Sequence, residues 1–405
     1  MPPTKRVLVL GSGFAGLWAA LGAARRLDEL GAAQGAVDVT VVSSQPFHDI
    51  RVRNYEADLS ACRIPLQDLL DPAGVSHITA DVTGIDAVAA TVSTADGATL
   101  GYDRLVLALG SRVVKPNLPR LTEFGYDVDT YDGAMKLQAH IHQLAEHAAD
   151  PATATAVVVG AGLTGIELAS ELPKILSDAL GAGVSPRVIL VDHNSHVGSD
   201  MGESARPFIA KALVDNAVET ITGVGVTAVD ERSVTLSSGE VVPAATVVWC
   251  AGMRANPLTT QFGVPCDKLG RLPVDDHLRV EGVAGVFAAG DVAALEVDDE
   301  HTSVMSCQHS RPMGRYAGHN VISDLLGAPM LSLRIPWYVT VLDLGPAGGV
   351  YTEGWDRRVV SSGAAAKATK RLINGERIYP PLSGDRTALL AAAAPELQAA
   401  PAHGH

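Results

Sequence analysis

Thiol chemistry is the first possibility to settle, because two cysteines at CxxC or CxxxxC spacing can cycle between dithiol and disulfide. The four cysteines, Cys62, Cys250, Cys266 and Cys307, have no neighbour at either spacing. A lone peroxidatic thiol would fall to Cys62, in Leu59-Ser60-Ala61-Cys62-Arg63. Thirteen histidines suggest metal binding, but His140, His142 and His147 share no ligand geometry on one helix face, and His403 and His405 sit in the tail. No metal site is expected. The glycines carry more. Val7-Leu8-Val9-Leu10 runs into Gly11-Ser12-Gly13-Phe14-Ala15-Gly16, and Ala156-Val157-Val158-Val159 runs into Gly160-Ala161-Gly162-Leu163-Thr164-Gly165. Each is an apolar strand, a GxGxxG turn and the start of a helical pattern. The glycines serve a tight turn, close approach of backbone to a pyrophosphate, and strand–helix contact, while the helix N-terminus offers free N–H groups to phosphate.

The repeat extends past the loops. The second apolar strands end at Ser43 and at Asp192, 32 residues from the first glycine in both copies (11 to 43, 160 to 192). This shared register marks two dinucleotide-binding units. Asp192 stands where a carboxylate accepts hydrogen bonds from an adenosine ribose and disfavours a 2′-phosphate, so the second unit is expected to take NADH in preference to NADPH. The first unit has Ser43 and Ser44 there, and a hydroxyl bonds a ribose more weakly. A late strand, Val286 to Ala289, ends in Gly290-Asp291, where the carboxylate can meet ribitol hydroxyls.

These residues resemble the two-dinucleotide-binding-domain flavoproteins, the pyridine nucleotide–disulfide oxidoreductase superfamily, over about residues 5 to 325. Two strand-to-glycine connectors, Tyr102 to Gly110 and Thr246 to Gly252, are part of the likeness. The resemblance implies an α/β fold: two Rossmann-like domains, the FAD domain (1–113 and 258–328) interrupted by the NAD domain (114–257). A small α+β C-terminal domain (329–387) and an unstructured tail (388–405) would follow. It implies contacts to FAD from Gly11, Gly13, Phe14, Ala15, Gly16, Ser43 and Ser44. Arg51 (at the pyrophosphate), Val82, Ala108, Gly110, Gly290, Asp291, Cys307 and Gln308 complete that set. The nicotinamide cofactor falls to Gly160, Gly162, Leu163, Thr164, Gly165, Glu167, Asp192, Ala251 and Gly252.

The C-terminal third resembles type II NADH dehydrogenases, through Ser306 to Gly314, Leu342-Asp343-Leu344-Gly345, and Ala364 to Lys370. In that branch a glutamine beside the flavin, a glutamate after the nicotinamide-site glycines and a C-terminal lysine form a polar set. Those positions point to Gln308, Glu167 and Lys370, with Lys367 the second choice of lysine. Where the branch reads Ala-Gln-x-Ala-x-Gln, Cys307, Ser310 and Pro312 replace both alanines and the second glutamine. The expected activity is hydride transfer from NADH to FAD, then two electrons to a quinone or quinone-like acceptor. Two alternatives stand beside it: a reductase of a small ferredoxin-type protein, and a non-catalytic redox-sensing flavoprotein.

The elements that position these groups need length, and 405 residues suffice for two or three domains. The composition has 47% hydrophobic residues, 40 glycines and a net charge of −14. That charge opposes nucleic acid as a partner and weakens peripheral membrane contact. The tail offers a membrane only Leu389-Leu390, and no apolar run reaches the roughly 18 to 20 residues of a spanning helix. Glycines interrupt the run after Lys5-Arg6 before it can act as a signal peptide, so a cytoplasmic protein is expected. A helix is expected over 133–148, capped by Asp132, with Ala134, Leu137, Ile141 and Leu144 on its buried face. Alternation through Trp337 to Leu342 predicts strand, and superfamily members often form homodimers through such a C-terminal domain.

Overall fold

The computed structural model describes residues 3–147, 150–181 and 183–402. Strand β1 (Lys5–Leu10) leads into helix α1 (Phe14–Glu29), followed by β2 (Val37–Ser43), β3 (Ser76–Thr79) and β4 (Arg104–Leu107). The second unit runs from β5 (Gly125–Tyr126) through α2 (Tyr131–Leu144), β6 (Thr155–Val159), α3 (Leu163–Leu180), β7 (Arg187–Asp192) and β8 (Val218–Thr222) to β9 (Thr246–Trp249). The chain then returns with β10 (Val286–Ala288) and α4 (Cys307–Leu326). Next come β11 (Val339–Asp343), β12 (Gly349–Glu353), β13 (Arg358–Ser362), α5 (Gly363–Leu372) and α6 (Arg386–Ala392).

Two five-stranded sheets follow, in the orders β10-β4-β1-β2-β3 and β5-β9-β6-β7-β8, with every pairing parallel. Their central strands read as unbroken apolar runs because helices or other layers cover both faces. Val7 to Leu10 and Ala156 to Val159 are buried accordingly.

The glycine loops coincide down to single bonds. Gly11 N–H donates to Val42 O and Gly160 N–H to Val191 O, both at 2.8 Å. Gly11 and Gly160 take φ of +103° and +105°, a region that L side chains rarely enter. A Cβ on Gly16 would lie 1.9 Å from Gly11 O, and one on Gly165 would lie 1.8 Å from Gly160 O. Only a bare Cα lets each helix start that close to the turn before it.

Helices α1 and α4 pack face to face through small residues. Cβ atoms on Gly314 and Gly318 would meet Ala15 O at 2.4 Å and Ala19 O at 2.1 Å. This contact couples the first glycine loop to the start of α4. Strands β11, β12 and β13 form a separate antiparallel sheet, with α5 packed against it.

Three local expectations change: the cap of α2, its end, and the tail. The cap of α2 is Thr130, whose Oγ1 accepts from Gly133 N–H at 3.0 Å; Asp132 lies in the first turn and pairs with Arg63 at 2.9 Å. The helix ends at Leu144 and is followed by a 3-10 turn to His147; residue 148, expected within it, lies outside the described residues. The tail from Ala388, expected to lack structure, forms most of α6, whose Ala388 N–H is capped by Asp385. Leu389 and Ala393 are fully buried, and α6 packs on α1. Alanine-rich segments show little amphipathic contrast in sequence, yet they fit closely against a helix as small-faced as α1. His403 and His405 lie outside the described residues.

Candidate active site

The N-terminus of α3 and the start of α4 open on one cavity of about 760 Å³, roofed by β11 and by the C-terminal segment. Its wall combines Leu163 and Thr164, Cys307 and Gln308, and Tyr338 to Val341. Glu167, Gln308 and Lys370, from α3, α4 and α5, all line it. Glu167 and Lys370 are far apart in the chain and meet because α3 and α5 both pack against β11.

Glu167 and Lys370 form a buried ion pair, with Lys370 Nζ 2.8 Å from Glu167 Oε1. The same Oε1 accepts from Asp343 N–H at 3.0 Å, and Lys370 donates to Val341 O at 3.1 Å. Burial pushes the Glu167 carboxyl above its ordinary value, and the attraction of Lys370 offsets only part of that rise. Burial works against the Lys370 ammonium, but Glu167 beside it, with Cys307 and Asp343 nearby, outweighs that, and the ammonium ends above its ordinary value. Lys367 instead contacts Asp343 at 2.7 Å and Glu171 at 3.3 Å, so the lysine on Glu167 is Lys370.

Ser306 caps α4 by accepting from His309 N–H. Val304 N–H donates to His309 Nδ1 at 2.8 Å, and burial lowers the imidazole to about 4. A neutral ring accepting at Nδ1 carries its proton on Nε2. The Gln308 Nε2 lies 3.4 Å from that ring Nε2. Two N–H donors do not bond, so turning the amide over brings its oxygen to the ring N–H and leaves the NH₂ facing away from it.

The loop residues have distinct surroundings. A Cβ on Gly13 would meet nothing within 4 Å, and one on Gly162 only Asp200 Oδ2 at 3.7 Å. The middle glycine of each loop thus faces open space above a helix N-terminus, a cradle that suits a pyrophosphate. Phe14 sits edge-on to His48, and a Cβ on Gly290 would lie 2.8 Å from the Ala15 Cβ. Ala108 and Ala251 back the first glycines of the two loops, and Gly110 and Gly252 both take positive φ. Asp291 accepts from Ser111 Oγ at 2.5 Å and from Ser310 Oγ at 3.4 Å. Arg51 is held by the protein itself, through Ser111 O at 3.0 Å and an ion pair with Asp129. Ser43 Oγ donates to Gln45 O at 2.7 Å, Ser44 is exposed, and Val82 begins a strand of a small antiparallel sheet. Asp192 is buried at the end of β7, where it accepts from Ala161 N–H and, at 2.7 Å, from Asn194 N–H.

All four cysteines are free, and burial raises the Cys62 thiol to about 11 and the Cys250 thiol to about 12. Neither forms appreciable thiolate near neutral pH. At the surface, Asp275, Asp276 and His277 bring ligand-type atoms within 4.8 Å of one another, but Arg279 pairs with Asp275 and His277 with Asp276.

Residues 5–314 match the family described as pyridine nucleotide-disulphide oxidoreductase. The chain belongs to that family. This pyridine nucleotide-disulphide oxidoreductase is 69% identical over 398 residues to a NADH dehydrogenase-like protein of Mycobacterium tuberculosis, covering 98% of this chain and 100% of that one. It is 29% identical over 381 residues to a demethylphylloquinone reductase of Synechocystis, covering 91% of each chain. Its fold matches NDH2 of Plasmodium falciparum, solved in complex with NADH, with a TM-score of 0.78 at 14% identity over 96% of this chain and 97% of that one. It is an oxidoreductase on the NADH dehydrogenase-like branch. Among its described residues no helix is long and apolar enough to cross a membrane.

The sequence reading missed Arg311 and Arg315, both buried in the cavity wall, and the contribution of Leu397, Gln398 and Pro401 to the same wall. An arginine in a helix ordinarily reads as solvent-facing, and no local signal marks these two.

Proposed function

We propose that this oxidoreductase takes hydride from NADH onto a bound FAD and passes two electrons to a quinone. The observation that carries the reading is the meeting of Glu167, Lys370 and Gln308 on one cavity beside the second glycine loop. The quinone named for the Synechocystis relative supports it.

FAD, when bound, accepts hydride and releases electrons in pairs. Gly11, Gly13 and Gly16 at the start of α1 would hold its pyrophosphate, with Asp291 on the ribitol and the α4 N-terminus toward the ring. Gly160, Gly162 and Gly165 hold the nicotinamide cofactor's pyrophosphate, and Leu163 and Thr164 wall the approach to the ring. Apolar walls exclude water, so hydride transfer depends on alignment rather than on a protein nucleophile.

Quinone reduction also consumes two protons. Gln308 donates from its NH₂ to a quinone oxygen, and the Glu167–Lys370 pair holds a proton at the cavity wall. Lys370 also lines a second cavity of about 280 Å³, among Arg53, Asp58, Glu171 and Lys367. This charged vestibule gives the pair a route for reprotonation.

An acceptor panel under NADH tests the reading, using menadione, a ubiquinone analogue, ferredoxin and oxygen. Turnover with the quinones is expected; turnover with ferredoxin alone overturns the assignment. For the nicotinamide, Asp192→Asn removes a buried charge while keeping an acceptor for the loop. It is expected to raise kcat/KM for NADPH relative to NADH by about tenfold. An unchanged ratio in steady-state kinetics removes Asp192 from cofactor selection.

A further inference from the structure

Arg311 and Arg315 are one helical turn apart on the same face of α4. They are 6% and 3% exposed, and both line the cavity. Their guanidinium groups lie over the Trp18 ring, at 5.6 and 4.3 Å from its centroid. Stacking on an aromatic face uses the flat side of a guanidinium and leaves its five N–H donors at the edge. Among the described residues neither arginine makes an ion pair within 4.0 Å, and the Nε of each is buried without a hydrogen-bond partner. The other arginines at the cavity differ. Arg51 is tied to Asp129, Arg271 to Asp267 and Arg357 to the Tyr338 hydroxyl, while Arg377 donates to Ala399 O.

A buried cation without a partner is costly, because desolvation is not repaid. Burial lowers both guanidinium groups to about 10, which still leaves them charged near neutral pH. Glu396 attracts Arg315 from the C-terminal segment, but it is exposed and forms no pair with it; Arg377 adds further positive charge. The surrounding wall is apolar and aromatic, through Ile335, Trp337, Tyr338, Ile378 and Leu397.

We infer that Arg311 and Arg315 form an anion-binding subsite of the acceptor cavity, so that the acceptor is a flat aromatic quinone carrying a carboxylate or sulfonate-type group. This rests on the quinone reading above. Two guanidinium edges donate to the oxygens of such a group in bidentate fashion, and the aromatic wall takes the ring body. The stoichiometry is that of ordinary quinone reduction. NADH and one proton from solvent supply two electrons and two hydrogens to the ring oxygens, giving NAD⁺ and a quinol. The anionic substituent takes no part and keeps its charge.

The test compares 1,4-naphthoquinone-2-sulfonate with neutral menadione, using the FAD-loaded full chain under NADH. The wild-type KM is expected to be at least tenfold lower for the sulfonate. In Arg311→Met/Arg315→Met that ratio moves to about one, and Arg315→Lys, which keeps the charge, retains part of it. Equal wild-type KM values, or a ratio unchanged in a variant that still holds one FAD per chain, overturn the inference. Binding of redox-inert naphthalene-2-sulfonate by calorimetry, against 2-naphthalenemethanol, reads the subsite without turnover and without any variant. At least tenfold tighter binding of the anion is expected, and equal affinities overturn the inference. If no quinone is reduced while ferredoxin is, the quinone reading fails by itself and the calorimetry still decides whether the arginines bind an anion.

Discussion

The Glu167–Lys370 pair shows how burial converts an ordinary contact into a constraint. Removing one partner of a buried pair leaves an uncompensated charge, at a cost of about 3–5 kcal/mol. Lys370→Met is therefore expected to lower stability strongly, with the Glu167 carboxyl rising further until it takes up a proton. Glu167→Gln/Lys370→Met removes both charges and is expected to recover most of the loss in a denaturant titration. It should not recover quinone turnover, which Glu167→Gln alone is expected to reduce about 10²-fold. Stability and turnover moving in parallel across all three variants would reduce the pair to a packing role. Spacing alone does not join residues 167 and 370. The family resemblance put Glu167 and Lys370 in one polar set, but the 2.8 Å contact between them is visible only in three dimensions. Arg311 and Arg315 were not legible at all, because what distinguishes them is the absence of a partner in three dimensions.

At the scale of elements, α1 and α4 depend on glycines that let two backbones approach within side-chain distance. Gly318→Ala would place a methyl 2.1 Å from Ala19 O and 2.8 Å from Ala23 N, with no flexible side chain to give way. Overpacking of this kind costs about 1–3 kcal/mol or more. Because α1 also carries the first glycine loop, the variant is expected to purify with less FAD and a lower Tm. The start of α4 has a pH signature. His309 is fully buried and lowered from 6.5 to about 4, so the folded state binds fewer protons than the unfolded chain between those values. Its contribution is present above pH 6.5 and is lost as pH falls towards 4, by roughly 3 kcal/mol at full extent. His309→Asn is expected to flatten the fall of Tm between pH 6.5 and 4.5; an equally steep fall would assign it to other groups. The glycine loops were legible because the backbone itself requires those residues. The cap of α2 was misread by two positions, since Thr130 and Asp132 are both capping types and only the geometry separates them.

Across the whole molecule, the C-terminal segment ties helix α1, packed on the first sheet, to the sheet of β11, β12 and β13. Arg386 pairs with Asp28 on α1 at 2.8 Å, and Leu389 and Ala393 bury against the core. Beyond α6 the chain lines the cavity through Leu397, Gln398 and Pro401. Arg377 donates to Ala399 O, and the Tyr351 hydroxyl donates to Pro401 O at 2.9 Å. The segment is thus both a clamp and a wall. Deleting residues 386–405 removes the burial of Leu389 and Leu390, worth about 1.5–3 kcal/mol for each leucine. It also exposes the cavity from the side of Leu397 and Pro401. The truncated enzyme is expected to melt several degrees lower. It is also expected to oxidise NADH with oxygen faster than the full chain does, because water and oxygen reach the cavity directly. Stopped-flow reduction by NADH followed by aerobic reoxidation separates these effects. A reoxidation rate equal to that of the full chain would show that the segment clamps the fold without shielding the site.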